Sequence, residues 1–542
     1  MTAAPVTPPV SIEDARGSGT AAPQITTHPY IGILGVFLGA MTATLNGRLV
    51  SVGLADLRGA LGLGVDQASW IPTTLNMGIM FIGVFSVFLG TAYGVRRVLL
   101  LSGVVFTLTS LALPFSPSLS TMLVLQAISG LSSGSFYSLT LTFVARSLPP
   151  KLLIFGVAAY VLDVVVTSNI AALIQGLLMD HFSWRWIFWT AAVLTPILMT
   201  CLYFGVPPQK SAPPALNWRG FLYMSLGLSL IYGALDQGER LNWWNSGAVI
   251  GLFAAGGGLV LASIARRYLQ PNPLLNLPFL NARNIAILGL GIVLFRFALL
   301  APLAAIPGFL ANVQQYRAIQ TGQSLAWVAA PLFVMVWLAA IATVFIQPRI
   351  VSAAGFAIVA IACSMAARVD SSWAGPSFLA TELTLSVGIA LALVGLVVSL
   401  LLLALEMGAI SNVTNAATFS GCMHTARLLG GEIGAVFFAR FLAEREKLHS
   451  NLLGQHVDVG GWLTTERLGG LAAAVTQGSA GLEEAQARSA GLLSLQVRAQ
   501  AYTLASADAF LLIAWYIAVY LLLLVFLRRS TIDLRSAGKP TK

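Results

Sequence analysis

The chain has 542 residues, 57% of them hydrophobic and only 9% charged, with 30 Lys and Arg against 20 Asp and Glu. A mean hydropathy of +0.83 leaves too little polar surface to cover a soluble particle of this size, which excludes a soluble globular enzyme or binding domain. The net charge of +10 is then read as membrane topology and contact with anionic lipid, not as an affinity for nucleic acid.

Residues 1–29 are rich in Pro, Thr and Ala, with no basic segment leading into an early apolar core. They read as a disordered cytoplasmic tail, not a cleaved signal. About fourteen apolar stretches of roughly 17–25 residues follow, each long enough to cross about 30 Å of hydrocarbon as a helix. Six are expected at Tyr30–Val52, Trp70–Leu89, Val98–Phe115, Leu119–Val144, Leu152–Met179 and Trp186–Phe204. Two more fall at Phe221–Leu235 and Ser246–Ala265. The last six fall at Ile285–Ile306, Ser324–Phe345, Val351–Ala367, Glu382–Leu405, Thr414–Phe441 and Phe510–Leu527. The predicted fold class is an all-α polytopic membrane protein.

Lys and Arg set the orientation. With the N-terminus inside, the cytoplasmic tails and loops hold sixteen of the thirty, among them Arg96, Arg97, Arg219, Arg266, Arg267, Arg349, Arg528 and Arg529. The short outside loops hold only Arg58, Arg185, Arg240, Arg317 and Arg368. Positive residues favour the cytoplasmic side, so both termini are expected there. One outside loop, 443–505, is long; Leu452, Leu453, Leu468, Leu471 and the run 482–495 have charges interleaved at helical spacing, which predicts one or two amphipathic helices. These would dock an adaptor or cap the outer vestibule.

Cys201, Cys363 and Cys422 lie in or beside apolar spans without ligand spacing, so no metal is expected. No GxxxxGK[ST] phosphate loop, HExxH pair or nucleophile elbow is present, so neither an ATP-driven pump nor an enzyme is expected, and no cofactor is implied. Work against a gradient would draw on an ion gradient.

Several short segments occur in a telling order. They are Gly94-Val-Arg-Arg-Val-Leu-Leu after span 2, Ser183-Trp-Arg-Trp-Ile-Phe188, Ala234-Leu-Asp-Gln-Gly-Glu-Arg-Leu-Asn-Trp243, Pro271-Asn-Pro-Leu-Leu-Asn276, Arg427-Leu-Leu-Gly-Gly431 with Gly434, and Gln500-Ala-Tyr before Asp508-Ala-Phe510. Together they resemble the 14-helix drug:proton antiporter branch of the major facilitator superfamily, the EmrB/QacA-like proteins. The resemblance implies a six-helix bundle at 30–206, a linker and two inserted helices at 207–270, a second six-helix bundle at 271–527 including the loop 443–505, and a cytoplasmic tail at 528–542. It implies substrate between the halves, alternately exposed to each side. Gly94, Arg96 and Arg97 would belong to the loop that controls this motion. It further implies a periplasmic adaptor and an outer-membrane channel as partners. The chain departs from the family pattern at Val87 and Thr91, at Gln126, at Ala171-Ala172 with Gln175-Gly176, and at Asn46-Gly47-Arg48.

Charges inside spans are costly and usually face a cavity or a partner. Asp163 lies about 18 Å into span 5 at 1.5 Å per residue. Tyr160, Asp163 and Thr167 share one face of that helix. Asp163 is either a proton site or half of a structural ion pair with Arg48 or another Arg. Arg48, Arg296 and Arg427 outnumber the well-buried acids, Asp163 and Glu432. A cavity with spare guanidinium charge favours anions through bidentate pairing. The candidate proton-coupling residues are therefore Asp163 and Glu432. The candidate substrate contacts are Asn46, Arg48, Tyr160, Arg296, His424 and Arg427, with snorkelling or helix locking as the plainer role for the arginines. Asp236, Glu239 and Arg240 read as solvated residues of an outside loop.

The expected function is a secondary exporter, coupled to protons, of small amphiphilic weak acids or anions, forming the inner-membrane part of a tripartite multidrug system. A dedicated metabolite or siderophore exporter and a non-transporting sensor on the same fold are the alternatives.

Overall fold

A computed structural model describes residues 28–147, 152–208, 218–269, 283–406, 413–458, 460–475 and 482–527. The tails at 1–27 and 528–542, the linker 209–217 and the Pro271–Asn276 motif lie outside the described residues. Among the described residues every regular element is helical.

Each expected span overlaps one long helix, although Ile285–Ile306 runs past its helix into a change of pitch. The helices are α1 (Pro29–Val52), α2 (Trp70–Tyr93), α3 (Val95–Ala112), α4 (Leu119–Ser147), α5 (Leu153–His181), α6 (Trp186–Gly205) and α7 (Trp218–Gly238). They continue as α8 (Gly247–Leu269), α9 (Arg283–Ala298), α10 (Ala318–Phe345), α11 (Pro348–Ala366), α12 (Leu379–Glu406), α13 (Val413–Gly454) and α14 (Leu482–Leu524). Among the described residues 10 helices are long and apolar enough to cross a membrane. After α9 the chain makes a π turn at Ala301–Ala305 before a short helix, Ile306–Asn312. Pro302 and Pro307, which lack an amide hydrogen, flank that change of pitch.

The last six helices repeat the pairings of the first six. In the first half α1 packs on α5 and α6, α2 on α4, and α3 on α4 and α6; in the second, α9 packs on α13 and α14, α10 on α12, and α11 on α12 and α14. The halves meet where α5 packs on α10 and α12 and where α2 packs on α13. The inserted helices α7 and α8 pack on each other, and α7 also touches α2 of the first half and α13 of the second.

Lipid tails give little hydrophobic drive between helices, so close backbone approach carries the packing. A Cβ on Gly130 of α4 would strike the Leu75 carbonyl of α2, and one on Gly322 of α10 would strike the Leu173 backbone of α5. The faces turned away from these seams carry exposed apolar side chains such as Leu101, Leu108, Leu338, Trp515 and Leu522, the surface that a bilayer covers.

Two expectations are refined. The segment 443–505, expected as an outside loop with one or two amphipathic helices, is helical over most of its described residues: α13 runs on to Gly454, α14 starts at Leu482, both being longer than a bilayer crossing needs and so projecting beyond it, and a further helix, Trp462–Val475, packs on α14. Arg445 and His449 of α13 bind Asp508 of α14 at 2.6 and 2.8 Å and tie the projecting pair together. Charge keeps a segment out of hydrocarbon but does not end a helix. Likewise α7 extends to Gly238, which places Asp236 and Gln237 inside a helix and not in a solvated loop.

Candidate functional site

Asp163 sits on α5 with no exposure to solvent. Helical spacing places Thr167 one turn further on, and its Oγ1 donates to Asp163 Oδ1 at 2.8 Å. The second oxygen faces α1, where Thr44 Oγ1 lies 3.4 Å away as donor. Thr44 Oγ1 is also 2.7 Å from the Tyr137 hydroxyl of α4. The Arg427 guanidinium of α13 lies over the Tyr137 ring, 4.1 Å from its centroid. Contacts thus run unbroken from a carboxyl in the first half to a guanidinium in the second. Among the described residues Asp163 takes its hydrogen bonds from hydroxyls, and the arginine whose charge bears on it is Arg427.

Arg48 of α1 and Arg296 of α9 are half-buried and converge on the same region. Arg48 and Arg427 are close enough for their charges to act on Arg296, as do the hydroxyls of Tyr137 and Tyr232. Among the described residues none of these three arginines forms an ion pair within 4 Å. Arg427 Nη2 is buried without a hydrogen-bond partner. Gly431 lets the Arg296 chain pass close to α13, since a Cβ there would lie 2.8 Å from Arg296 Nε. Asn46, one turn before Val50 on α1, is buried with both amide atoms unpartnered, and Tyr160 is buried near Tyr137.

His424 is placed differently. Its ring fills a notch left by Gly83 on α2, where any Cβ would collide with it. His424 Nε2 lies 3.2 Å from the Ile79 carbonyl, so it carries the hydrogen, and Nδ1 is 3.4 Å from Ser138 Oγ of α4, a hydroxyl that donates to the Gly83 carbonyl at 3.1 Å. The ring is thereby held at the α2–α13 seam.

Glu432 is not brought to Asp163. It lies in a second cluster between α2, α7 and α13. Tyr232 donates to Glu432 Oε2 at 2.6 Å, and the Asp236 carboxyl is near enough for its charge to act on Glu432. Thr73 of α2 donates to Asp236 Oδ2, and Gln237 Nε2 donates to the same oxygen at 3.0 Å and to Thr73 Oγ1 at 2.5 Å. Beyond the end of α7, Arg440 binds Glu239 at 2.8 Å and Arg240 binds Asp66 at 2.6 Å. Trp243 Nε1 also donates to Glu239 at 2.8 Å, and these two donors hold the Glu239 carboxyl below its ordinary range. The inserted helix α7 is therefore fastened to both halves at this end.

The loop residues lie apart from both clusters. Gly94 joins α2 to α3 with φ of 90°, a conformation that side chains other than glycine rarely adopt. Arg96 stacks 4.3 Å from the centroid of Tyr203, and Arg97 is exposed.

Thr44, Tyr137, Tyr232 and Asp236 were not picked out by sequence reasoning. The first three are ordinary polar residues of spans; Asp236 was obscured by the polar run after it.

Comparison with known proteins fits this architecture. The chain is 26% identical over 312 residues to a protein named Probable multidrug resistance protein EmrY from Escherichia coli K12, covering 57% of this chain and 60% of that relative. It is 22% identical over 432 residues to Multidrug export protein EmrB of Haemophilus influenzae, covering 78% of this chain and 82% of that protein. Among solved structures the proton:xylose symporter XylE superposes with a TM-score of 0.52 at 11% identity, covering 94% of this chain and 98% of that one, a likeness of fold. The family profile described as Major Facilitator Superfamily matches residues 36–435, a stretch that contains both inter-half seams and every candidate site residue, and the chain belongs to that superfamily of membrane transporters.

Proposed function

We propose that this protein is an inner-membrane exporter that moves small amphiphilic weak acids or anions outward in exchange for protons. The carrying observation is the convergence of Arg48, Arg296 and Arg427 from both halves without an ion-pair partner among the described residues. Guanidinium groups gathered out of bulk water repel one another, and an anion between them relieves that repulsion. The unpartnered Nη2 of Arg427 supports a direct contact with such an anion. Asn46, buried with both amide atoms unpartnered, and Tyr160, near Tyr137, are assigned as the anion's neutral polar contacts.

Asp163 is the proton site in this reading. Its hydrogen bonds come from Thr44 and Thr167, and a hydroxyl can donate to a carboxylate or accept from a carboxylic acid. The group therefore gains and loses a proton without breaking a salt bridge. Glu432 is assigned a second, lesser part in coupling at the α7 seam. Gly94, Arg96 and Arg97 belong to the loop that turns as the halves rock. The projecting ends of α13 and α14, with Trp462, Leu463 and Leu495 exposed, support a tripartite assembly in which a periplasmic adaptor docks there.

Efflux measured with energised inverted vesicles tests this. A fluorescent amphiphilic carboxylate should be transported in an uncoupler-sensitive manner, and Asp163→Asn should abolish that transport. Transport of a lipophilic cation alone, with the carboxylate ignored, would sink the anionic reading.

A further inference from the structure

The chain of contacts through Thr44 and Tyr137 has a property that neither residue has alone. Thr44 has one hydroxyl hydrogen and lies between two partners, Asp163 Oδ2 at 3.4 Å and Tyr137 OH at 2.7 Å. It cannot donate to both. With Asp163 as a carboxylate, which only accepts, Thr44 must donate to it, and Tyr137 must then donate to Thr44. With a proton on Oδ2, the carboxylic acid donates to Thr44, Thr44 turns to donate to Tyr137, and the Tyr137 hydrogen is released from the chain. No bond to carbon or nitrogen changes; two hydroxyls reverse.

Tyr137 is where this reversal meets the other half of the protein. Its ring faces the Arg427 guanidinium at 4.1 Å, in a site with little solvent. A phenol that donates its hydrogen has a more electron-rich ring than one that accepts, and hydrogen bonds in series polarise one another. The charged state of Asp163 therefore holds Arg427 more firmly over the ring, both through the chain and through its own charge. Held there, Arg427 presents its unpartnered Nη2 in a fixed position. The other groups around the chain are Thr167 and Tyr160 on α5, Arg48 on α1, His424 on α13 beside Arg427 and, through Arg427, Arg296 on α9.

We propose that Thr44 and Tyr137 are positioning residues that relay the protonation state of Asp163 to Arg427, so that proton uptake loosens the anion site. Resting on the assignments of Asp163 and Arg427 above, the relay gives proton and anion alternating occupancy although they bind different side chains. Direct electrostatics would do the opposite, since a protonated Asp163 repels an anion less than a charged one. The sign of the pH response thus separates relay from bare charge.

The test is binding of a dansyl-labelled fatty acid to purified full-length protein across a pH series, with infrared difference spectra between acid and alkaline samples. In the wild type, affinity should weaken toward acid by a few-fold to about tenfold, the scale of a desolvated cation–π contact. Tyr137→Phe and Thr44→Val should bind the probe with the response flattened or reversed to the sign of bare charge, and Thr44→Ser should restore it. The tyrosine band that moves with pH in the wild type should be still in Thr44→Val. Wild-type pH responses in binding and spectrum for both Tyr137→Phe and Thr44→Val, with a flat Asp163→Asn, would overturn the relay and leave the proton site standing. A response that survives in Asp163→Asn would instead overturn the proton-site assignment and the relay with it.

Discussion

Asp163 and Glu432 are both carboxyls among packed helices, yet they are held in different ways. Asp163 is fully enclosed, its oxygens facing two threonine hydroxyls that tolerate either protonation state. Glu432 is half-buried beside a second carboxyl, Asp236, and a donor tyrosine, in a cluster bonded to three helices at once. The first arrangement suits a group that must change state freely. The second suits a fastening, because α7 reaches α2 through Asp236 and Gln237 and reaches α13 through Tyr232 and Glu239.

The sharpest way to break this contrast is to neutralise each carboxyl in turn. Asp163→Asn should lower initial export rates by at least about tenfold, the scale for losing an essential proton carrier. Glu432→Gln should lower them only a few-fold, and a larger loss from Glu432→Gln than from Asp163→Asn in the same vesicles would reverse the assignment. Next in size is Tyr232→Phe, which removes one donor to a carboxylate oxygen and should lower thermal stability by about 1.5–3 kcal/mol, read by unfolding in detergent. Thr73→Val removes a neutral donor to Asp236 and should cost about 1 kcal/mol in the same assay. The smallest effect belongs to Glu239. Its carboxyl ionises below the ordinary carboxylate range, so its contacts with Trp243 and Arg440 persist above the unfolded value near 4.3 and fail only as pH falls through the lower folded value. Trp243 fluorescence should therefore be flat from neutral pH to mildly acidic and change only below that, and Glu239→Gln should remove the change.

Much of the fold was legible because spanning helices are announced by length and apolarity, and the Tyr160–Asp163–Thr167 stripe follows from one helix's own spacing. Contacts between helices were not. Thr44 and Asp163 are 119 residues apart, and nothing local to Thr44 distinguishes it from any other hydroxyl in α1. Asp236 was misread for a related reason. The run Gln-Gly-Glu-Arg that follows it has a loop's composition, whereas Asp236 and Gln237 complete the last turn of α7 by bonding to Thr73, 163 residues earlier than Asp236. Composition sees solvent as the partner of a polar residue; in this seam the partner is another helix. The three arginines were visible as excess charge, but their convergence came only with the packing of α1, α9 and α13.

The projection of α13 has a mechanical consequence. At 1.5 Å per residue its 42 residues make a rod about 63 Å long, roughly twice the thickness of the hydrocarbon. Arg427 and Glu432 sit on the membrane part of that rod, and Leu448 and Leu452 on its free end. A tilt of a few degrees at the site becomes a displacement of several ångströms at the tip if the helix stays straight, with α14 bound alongside to stiffen it. The protein thus carries its own pointer, and a fluorophore at Leu452 would follow the state of the buried site from outside the membrane.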